Sequence, residues 1–299
     1  MRLVIALGGN ALLRRGESPS AERQRRHMRA AAAAIAEVCE GNEIAIVHGN
    51  GPQIGLLALT AEAYTAVDPY PLDVLSAESQ GMIGYVIAQE LRNALGRRAV
   101  TCLLTQTLVD PSDPAFGHPT KPIGPVYASE QEARRAAQPD WIIAADGKGY
   151  RRVVPSPRPT GIVEFDEISR LVRQGAITIC AGGGGIPVIS KEGRLEGVEA
   201  VIDKDFTAAC LAIGLGADRL IILTDVDAVQ SDWGKSTQRP IPKISASRFD
   251  ADSFAEGSMR PKVEAAVRFA QATGRSAVIG ALDEVGAVVG GHAGTSISP

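Results

Sequence analysis

Six short apolar runs set the strongest limit on how this chain can fold. They span residues 2–7, 43–48, 99–104, 176–181, 219–224 and 276–281, from RLVIAL to SAVIGA. Runs that are apolar at successive positions, and not only at alternate ones, are typical of strands in a sheet that is covered on both faces. They therefore indicate a sheet buried between two layers.

Segments with helical patterns lie between these strands. They run over 20–40, 76–95, 206–215 and 261–273, and each ends directly before a glycine. Ser20 is a suitable N-cap for the first segment, and Pro261 occupies the first turn of the last. Strands that alternate with helices predict an α/β layer fold with a largely parallel sheet.

One proline-rich region interrupts this alternation. It runs from Asp110 to Pro159, with DPSDPAFGHPTKPIGPVY at one end and VVPSPRP at the other. A short helical pattern at Ser129–Ala137 and a hairpin pattern around Asp146-Gly147 lie between the two ends. These features predict a folded insertion that stands out from the main sheet, in place of a disordered linker.

Composition excludes several classes of function. The 299 residues are 45% hydrophobic and 22% charged, with a formal net charge of −3, which is ordinary for a soluble globular protein of one large or two modest domains. This charge offers no electrostatic attraction to nucleic acid, and no apolar run reaches the length of a membrane span. The N-terminal stretch lacks a cleavage site and predicts a strand, not a signal peptide.

The cysteines and histidines indicate neither disulfides nor a metal centre. The four histidines have no metal-ligand spacing, and the motifs CxxC and HExxH are absent. The four cysteines are widely spaced, mostly beside apolar residues, and predict free buried thiols in a reducing compartment. They are Cys39, Cys102, Cys180 and Cys210. We therefore expect a cytoplasmic protein.

Glycine-rich turns follow three of the expected strands. They are Gly8-Gly9-Asn10, Gly49-Asn50-Gly51 and the run of four glycines at 182–185. Ligands of α/β sheets bind at the carboxyl ends of strands, and glycine lets backbone N–H groups approach an anion. One such turn is explained as a simple strand cap, but three together predict a crevice for phosphate or another small anion.

Two standard nucleotide-binding motifs are absent. GKST at 234–237 resembles the end of a P-loop, but the required upstream glycine is replaced by Val229. The glycines at 182–185 do not fit G-x-G-x-x-G because position 187 is proline. Any nucleotide site is therefore built in another way.

Three lysines lie near the glycine turns, namely Lys121, Lys204 and Lys262. Lys204 stands out because it lies in VIDKDF, between Asp203 and Asp205 and among apolar segments. Asp205 is placed to cap the following helix and to hold lysine ammonium groups, and Asp203 either shares this role or helps to organise a metal. The alternative explanation of the triplet is a helix cap with a buried ion pair.

The absence of other catalytic motifs narrows the chemistry. G-x-S-x-G, a Cys-His pairing signal and a paired-carboxylate motif are all missing. A crevice lined by amides and lysines suits phosphoryl transfer, in which positioning and charge neutralisation provide most of the catalysis.

Nine motifs, taken in order, resemble those of carbamate kinases in the amino-acid kinase superfamily. They are ALGGNAL, HGNGPQIG, SQGMIGY, TKPIGPVY, VVPSPRP, GGGGIPV, GVEAVIDKDF, LTDVD and GSMRPK. The resemblance covers the chain from Leu3 to about Lys262. Nine motifs in the family's order and at similar spacing are far more specific than any one of them.

The resemblance implies a three-layer αβα sandwich around a mainly parallel sheet, as a single domain over residues 1–299. The part up to about residue 215 would bind carbamate or carbamoyl phosphate, and 216–299 would bind the nucleotide. The insertion would form a protruding subdomain at 118–160. The resemblance also implies a homodimer, for which the helix around Met82 to Leu95 is a candidate interface, and Mg²⁺ carried by ATP or ADP without a certain protein ligand.

The implied reaction converts ATP and carbamate into ADP and carbamoyl phosphate, and commonly runs in reverse to make ATP. In it, Lys204 would neutralise charge on the phosphoryl group, Asp205 would orient the lysines, and Lys262 would contact the ATP phosphates. Lys121 would reach the substrate from the insertion. Many superfamily relatives carry a catalytic lysine at the position of Ala6, so Lys121 is its expected substitute.

The resemblance also assigns binding residues by motif, with Asp203 in a supporting role. The substrate-binding set is Gly8, Gly9, Asn10, Gly49, Asn50, Gly51, Gly183 and Gly184. The nucleotide-binding set is Thr224, Asp225, Val226, Asp227, Trp233, Lys235, Met259, Pro261 and Lys262. Asp225 departs from the glycine that carbamate kinases commonly have, and Trp233 replaces an aromatic residue that is often Tyr.

Two other functions remain open at the level of sequence. One is a superfamily kinase that phosphorylates a different small acid, and the other is a non-catalytic sensor of nucleotide or carbamoyl phosphate. The HGNGPQIG, KPIGP and DKD set argues against the first, and the presence of all three lysines argues against the second.

Overall fold

The computed structural model describes residues 1–9, 20–63, 66, 68–250 and 259–299. The helices are α1 (Ala21–Ala36), α2 (Gly51–Ala63), α3 (Leu72–Leu95), α4 (Glu130–Ala136), α5 (Phe165–Arg173), α6 (Lys204–Leu215), α7 (Arg260–Thr273) and α8 (Val285–Gly290). The strands are β1 (Arg2–Leu7), β2 (Glu43–His48), β3 (Val100–Cys102), β4 (Gln106–Val109), β5 (Lys121–Tyr127), β6 (Ile142–Asp146), β7 (Gly149–Val154), β8 (Pro159–Ile162), β9 (Ile177–Ile179), β10 (Ile186–Lys191), β11 (Arg194–Gly197), β12 (Arg219–Thr224), β13 (Gln230–Ser231), β14 (Arg239–Pro240), β15 (Lys243–Ser245), β16 (Ala277–Ala281) and β17 (Thr295–Ser298). None of the helices in these ranges is long and apolar enough to cross a membrane.

An eight-stranded sheet organises the main body, in the order β15-β17-β16-β12-β1-β2-β9-β3. All neighbouring strands in it are parallel except β16 and β17. The six apolar runs of the sequence all contribute strands to this sheet. The prediction of a largely parallel sheet is therefore confirmed.

Helices cover both faces of this sheet. In β1, Val4 and Ala6 pack in one core cluster with residues of α5, α6 and α7. Leu3, Ile5 and Leu7 point to the opposite face and pack with residues of α1, α3 and α8. Successive residues of a strand face opposite sides, so a strand covered twice must be apolar throughout. The three-layer αβα architecture explains the continuous apolar runs.

Some element boundaries differ from those expected from the sequence, because distant side chains set them. The run at 99–104 forms a strand only at Val100–Cys102, and the backbone N–H of Thr105 donates to Gln80 Oε1 at 2.9 Å. Helix α3 begins at Leu72, four residues before Ser76, and the N–H of Leu72 donates to Glu199 Oε1 at 2.9 Å. Helices α6 and α7 also begin slightly earlier than expected.

The insertion has a small sheet of its own. Strands β5, β7 and β6 pair antiparallel in that order, and α4 is capped by Ser129, whose side chain accepts from the N–H of Glu132. The hairpin expected at Asp146-Gly147 joins β6 and β7, with Gly147 at a φ of 63°. The helix and the hairpin predicted for the insertion are confirmed.

A glycine contact seats this small sheet on the main body. A Cβ at Gly55 in α2 would lie 1.9 Å from the Cα of Gly124 in β5, which is far inside van der Waals contact. Gly124 itself has a φ of 73°. Position 55 requires glycine because α2 and β5 approach each other backbone to backbone, and position 124 favours glycine because of its positive φ.

Gly55→Ala is expected to lower the free energy of unfolding by about 1–3 kcal/mol, because the added methyl group forces α2 and β5 apart. Helix propensity alone predicts the opposite sign, since alanine is the better helix former. Gly81→Ala in α3 is the matched control, because a Cβ there meets no atom within 4 Å. Urea unfolding of both variants checks the prediction, and equal or raised stability of Gly55→Ala would contradict it.

Candidate active site

The DKD triplet lies at the start of α6. Asp203 is the N-cap, with extended backbone angles, and its Oδ1 accepts from the N–H of Asp205 at 2.9 Å. The expectation that Asp205 caps the helix is wrong. Asp205 lies one position inside the first turn, and its carboxylate is free to accept from side chains instead of from the helix backbone.

Three lysines converge on these two carboxylates. Lys204 Nζ lies 2.5 Å from Asp205 Oδ1, and Lys262 Nζ, from the start of α7, lies 2.9 Å from Asp205 Oδ2. Lys121, the first residue of β5, pairs with Asp203 Oδ2. The cluster therefore joins the insertion, α6 and α7. With three cations and two carboxylates it carries one surplus positive charge, which favours an anionic ligand.

Burial sets the electrostatics of this cluster. Only 7% of Lys204 is exposed, and burial lowers its pKa to about 8, although Asp205 opposes the shift. Burial also lowers the pKa of Lys262, but Asp205 and Asp203 outweigh it, so that this pKa is raised. Burial raises the pKa of each aspartate, but the lysines reverse this effect, and both pKa values lie below their usual range. The carboxylates are therefore ionised at neutral pH.

The glycine turns meet at one edge of the sheet, beside the lysines. The strands that precede them, β1, β2 and β9, are neighbours in the sheet. A Cβ at Gly49 would lie 3.4 Å from both the backbone N of Gly9 and Cδ of Lys204. A Cβ at Gly183, whose φ is 69°, would lie 2.2 Å from Nδ2 of Asn50. A side chain at Gly183 would therefore clash with Asn50, whereas one at Gly49 would make ordinary van der Waals contact with Gly9 and Lys204.

The remaining residues expected to bind substrate lie in the same turns. Gly8 donates its N–H to the carbonyl of Leu223 at 2.9 Å, and Gly51 begins α2. A Cβ at Gly184 would lie 2.3 Å from the carbonyl of Ile202, directly before Asp203. Asn10 lies outside the described residues.

Side chains that sequence reasoning did not single out hold these turns in place. Asn50 Nδ2 donates to Ser79 Oγ at 2.9 Å, and Thr207 Oγ1 donates to the carbonyl of Gly184 at 2.8 Å. Ser79 belongs to the SQGMIGY motif, which carried no assigned role, so this motif was the available signal. Thr207 had no such signal, because its partner is distant in sequence.

His48 was also missed, although it directly precedes the second glycine turn. It is fully buried, which lowers its pKa to about 4, so the imidazole is neutral at neutral pH. Its Nδ1 lies 2.9 Å from the carbonyl of Gly49. A carbonyl only accepts, so Nδ1–H donates this hydrogen bond, which orients the peptide that leads into Asn50.

Only some of the expected nucleotide-binding residues lie near the lysines. Thr224 ends β12, and a Cβ at Gly8 would lie 3.6 Å from its Cα. Lys262 and Pro261 occupy the first turn of α7, directly after the half-buried Met259. Asp225 raises the pKa of Lys262, against the opposing effect of burial, which places its charge near the cluster.

The other expected nucleotide-binding residues form no hydrogen bond or ion pair with the three lysines in the part of the chain that the structure describes. Trp233 is 61% exposed, and Lys235 pairs with Asp232 at 3.2 Å on the same exposed turn. Val226 is half-buried and Asp227 is exposed in the segment that leads there from β12. The ion pairs therefore join the three lysines to Asp203 and Asp205, and they do not include this exposed turn.

A parallel sheet with glycine turns and lysines at its carboxyl edge defines a phosphoryl-transfer enzyme of the amino acid kinase type. The model of the amino acid kinase family matches residues 1–281, and the chain belongs to this family. Its branch of the family is the carbamate kinases. As in the relatives of that name, the reaction is the transfer of a phosphoryl group to carbamate.

Relatives and solved structures of similar length support this assignment. The chain is 55% identical to carbamate kinase of Haemophilus influenzae, over 100% of this chain and 97% of the relative. It is 49% identical to that of Rhizobium meliloti, over 100% and 93%. A solved carbamate kinase from Giardia lamblia bound to AMP-PNP superposes with a TM-score of 0.88, at 41% identity and with 99% and 98% of the two chains covered. These matches favour carbamate over another small acid, and an enzyme over a sensor.

The pKa of Lys204 predicts the alkaline limit of activity. The amine is charged below about pH 8 and neutral above it, so kcat/KM for carbamoyl phosphate should fall as the pH rises past this value. A profile of kcat/KM from about pH 6 to about pH 10 measures this fall, which forms the alkaline limb of the profile. In Lys204→Arg the guanidinium stays charged, and the limb should move to higher pH. An unmoved limb would assign the titration to another group.

Proposed function

We propose that this enzyme catalyses phosphoryl transfer through charge neutralisation by lysines, without a general base. The convergence of Lys121, Lys204 and Lys262 on two carboxylates beside the glycine turns supports this mechanism. The attacking oxygen of carbamate is already anionic, so no proton has to be removed. The reaction instead needs cations, because like charges ~4 Å apart repel by several kcal/mol at an intermediate dielectric.

Each lysine has a distinct part in this proposal. Lys204 neutralises the phosphoryl group in transfer, and Lys262 contacts the ATP phosphates from α7. Lys121 reaches the carbamate end of the substrate from β5. Asp205 orients Lys204 and Lys262 through its two oxygens, and Asp203 holds Lys121 while it caps α6. Substrate oxygens would take over part of these contacts when they bind.

The glycine turns form the second part of the proposed site. Gly8, Gly9 and Asn10, together with the turn from Gly49 to Gly51, would hold the transferring phosphoryl group and the carbamate. Gly183 and Gly184 would close the crevice on the side of β9. Their close contacts with Asn50 and Ile202 support this arrangement, because they place the third turn beside the other two.

We assign nucleotide binding to residues 216–299 and carbamate binding to the part of the chain up to about residue 215. The protruding subdomain, at 118–160, is inserted within that first part. The assignment of ATP is supported by the Giardia relative, which binds AMP-PNP. The nucleotide-binding set named from the sequence remains a proposal. Asp225 is its most informative member, because it lies close enough to Lys262 to affect the pKa of that lysine.

Mg²⁺ is proposed to enter with the nucleotide. Among the described residues, no group of three or more His, Cys, Asp or Glu side chains is arranged to hold a metal ion, and Asp203 and Asp205 are already paired with lysines. In this proposal the phosphate oxygens of ATP or ADP supply ligands to the ion. When bound, the ion would neutralise charge on the phosphates.

The proposed cellular role is the synthesis of ATP from ADP and carbamoyl phosphate in the cytoplasm. The resemblance to carbamate kinases suggests the direction. The four cysteines support the compartment, because they are free thiols and free thiols are typical of reducing compartments.

Removal of single lysines tests the mechanism. Lys204→Ala and Lys121→Ala should each lower turnover by about 100-fold or more, because a developing charge loses its neutralising partner. The measurement is ATP formation from ADP and carbamoyl phosphate, with circular dichroism to show that the fold survives. Lys191→Ala, at an exposed position in β10, is the control and should keep normal turnover. Normal turnover in Lys204→Ala would reject the mechanism.

We also propose a homodimer that joins the β3 edges of two subunits. Among the described residues, β3 is the last strand of the eight-stranded sheet, and one of its sides has no strand partner. Met82 and Tyr85 on α3, and Leu104 two residues after β3, are exposed large hydrophobic residues. Tyr85 shares a surface pocket with Thr101 and Cys102 of β3. An open edge strand with apolar neighbours is typical of a surface that pairs with another chain. A second copy of this chain is the partner that the resemblance implies.

Tyr85→Glu and Leu104→Glu should convert the dimer to monomers, because they bury charge at the proposed interface. Sedimentation velocity measures the change. Leu195→Glu is the control, since Leu195 is equally apolar and 45% exposed, but lies in β11. A wild-type monomer, or dimers that persist in both variants, would exclude this interface.

A further inference from the structure

Neither the sequence motifs nor the proposed mechanism assigns a role to Arg158. It lies in the segment VVPSPRP, through which the chain returns from the insertion to β8. Its backbone N–H donates to Asp113 Oδ2 at 2.8 Å. Asp113 lies in the outgoing segment, eight residues before Lys121, and its Oδ1 caps a short turn by accepting from the N–H of Ala115. The backbone of Arg158 thus ties the two legs of the insertion together.

The guanidinium of the same residue contacts the starts of two helices. Its Cζ lies 3.3 Å from the centroid of the Phe206 ring, and its Nη2 lies 2.8 Å from Glu264 Oε2. Phe206 directly follows Asp205 in α6, and Glu264 lies two residues after Lys262 in α7. One side chain therefore bridges the first turns that carry Lys204 and Lys262.

These contacts have the chemistry of a durable link. A guanidinium over an aromatic face and a hydrogen-bonded charge pair are both favourable, and lysine reproduces neither the stacking nor the planar geometry. Glu264 also accepts from Arg260 Nε at 2.9 Å. Burial raises the pKa of Glu264, but the hydrogen bonds from Arg158 and Arg260 outweigh this, and the group stays ionised.

We propose that Arg158 is a positioning residue that holds the two legs of the insertion and the first turns of α6 and α7 in one arrangement. Lys121, Lys204 and Lys262 then reach the transferring phosphoryl group together. This inference rests on the lysine mechanism proposed above. Arg158 acts through the elements that carry the lysines, and it does not touch the reacting atoms.

The need for such a residue follows from the chemistry of the cluster. In the structure, Asp205 joins α6 to α7 through Lys262 at 2.9 Å. A bound phosphate competes with Asp205 for Lys204 and Lys262, so this link weakens when the substrate is present. The Arg158 contacts to Phe206 and Glu264 involve none of these atoms and persist. They keep the helix starts at a fixed distance while the lysines change partners.

Kinetics of Arg158→Met, Arg158→Lys and Glu264→Gln test the proposal, with the full-length enzyme, ADP and carbamoyl phosphate. Arg158→Met should lower kcat by ~10- to ~100-fold, because misplacement of catalytic groups by about 1 Å has effects of this size. The KM for ADP should change by less than about threefold, since no nucleotide contact is lost. Arg158→Lys should recover only part of kcat, because lysine keeps a positive charge for Glu264 but not the stacking on Phe206. The double variant Arg158→Met/Glu264→Gln should lose no more than Arg158→Met alone, because the two residues act as one link.

Arg134→Met is the matched control. Arg134 forms an equivalent ion pair with Glu130 on α4, where both side chains are exposed, and kcat should stay normal. Thermal unfolding reports whether each variant is folded. If Arg158→Met does not fold, Glu264→Gln takes its place, with a lowered kcat and a nearly unchanged KM for ADP as the expected result. A normal kcat in the folded variant would overturn the proposal. A raised KM for ADP at unchanged kcat would also overturn it, and would make Arg158 a nucleotide contact.

Lys262→Met in the same assay separates this inference from the mechanism on which it rests. If kcat is lowered in Lys262→Met but normal in Arg158→Met, the positioning role of Arg158 is rejected and the lysine mechanism is not. A normal Lys262→Met rejects the role of Lys262 in the lysine mechanism and the inference with it. The combination that supports both is a loss of kcat in Lys262→Met and in Arg158→Met.

Discussion

The site depends on the two ion pairs that the Asp205 carboxylate forms with Lys204 and Lys262. This carboxylate is almost completely buried, and its two oxygens accept separately from Lys204 and Lys262. A buried charge is stable only when it is paired and hydrogen-bonded, and here two cations share one acceptor. With Lys121 and Asp203 included, the cluster keeps one surplus positive charge. The enzyme therefore presents a charged site that a phosphate can complete, at the start of a helix whose dipole favours the same sign of ligand.

The glycine turns have a steric role as well as a hydrogen-bonding one. Gly49 packs against the stem of Lys204, and Gly183 lies so close to the amide of Asn50 that a side chain at Gly183 would displace that amide. The parallel order of β1, β2 and β9 brings the turns together, because parallel strands end at the same edge of a sheet. The contact of Gly55 with Gly124 extends this close packing to the insertion and therefore to Lys121.

Comparison of the DKD triplet with its expected role shows how far a local pattern can be interpreted. Aspartate is a common N-cap residue, and Asp205 was the expected cap because it directly precedes the helical segment predicted from Phe206. The structure assigns the cap to Asp203, because its backbone is extended and its Oδ1 reaches the N–H of Asp205. Because Asp203 and not Asp205 caps the helix, the Asp205 carboxylate is available to pair with Lys204 and Lys262. The roles of His48 and Thr207 were not predictable, since burial and a distant carbonyl define them.

Local sequence determined the six apolar runs that contribute to the main sheet and the glycines that end α3, α6 and α7. The first helix was an exception, since it ends at Ala36 and not directly before Gly41. Apolar periodicity, capping and turn preferences act between residues close together in the chain. The partners of charged groups were decided by tertiary structure. Lys121 meets Asp203 across 82 residues, Lys262 meets Asp205 across 57, and Glu199 accepts from the first residue of α3 across 127. Such contacts depend on how the sheet brings distant segments to one edge, and no local pattern in the chain encodes that distance.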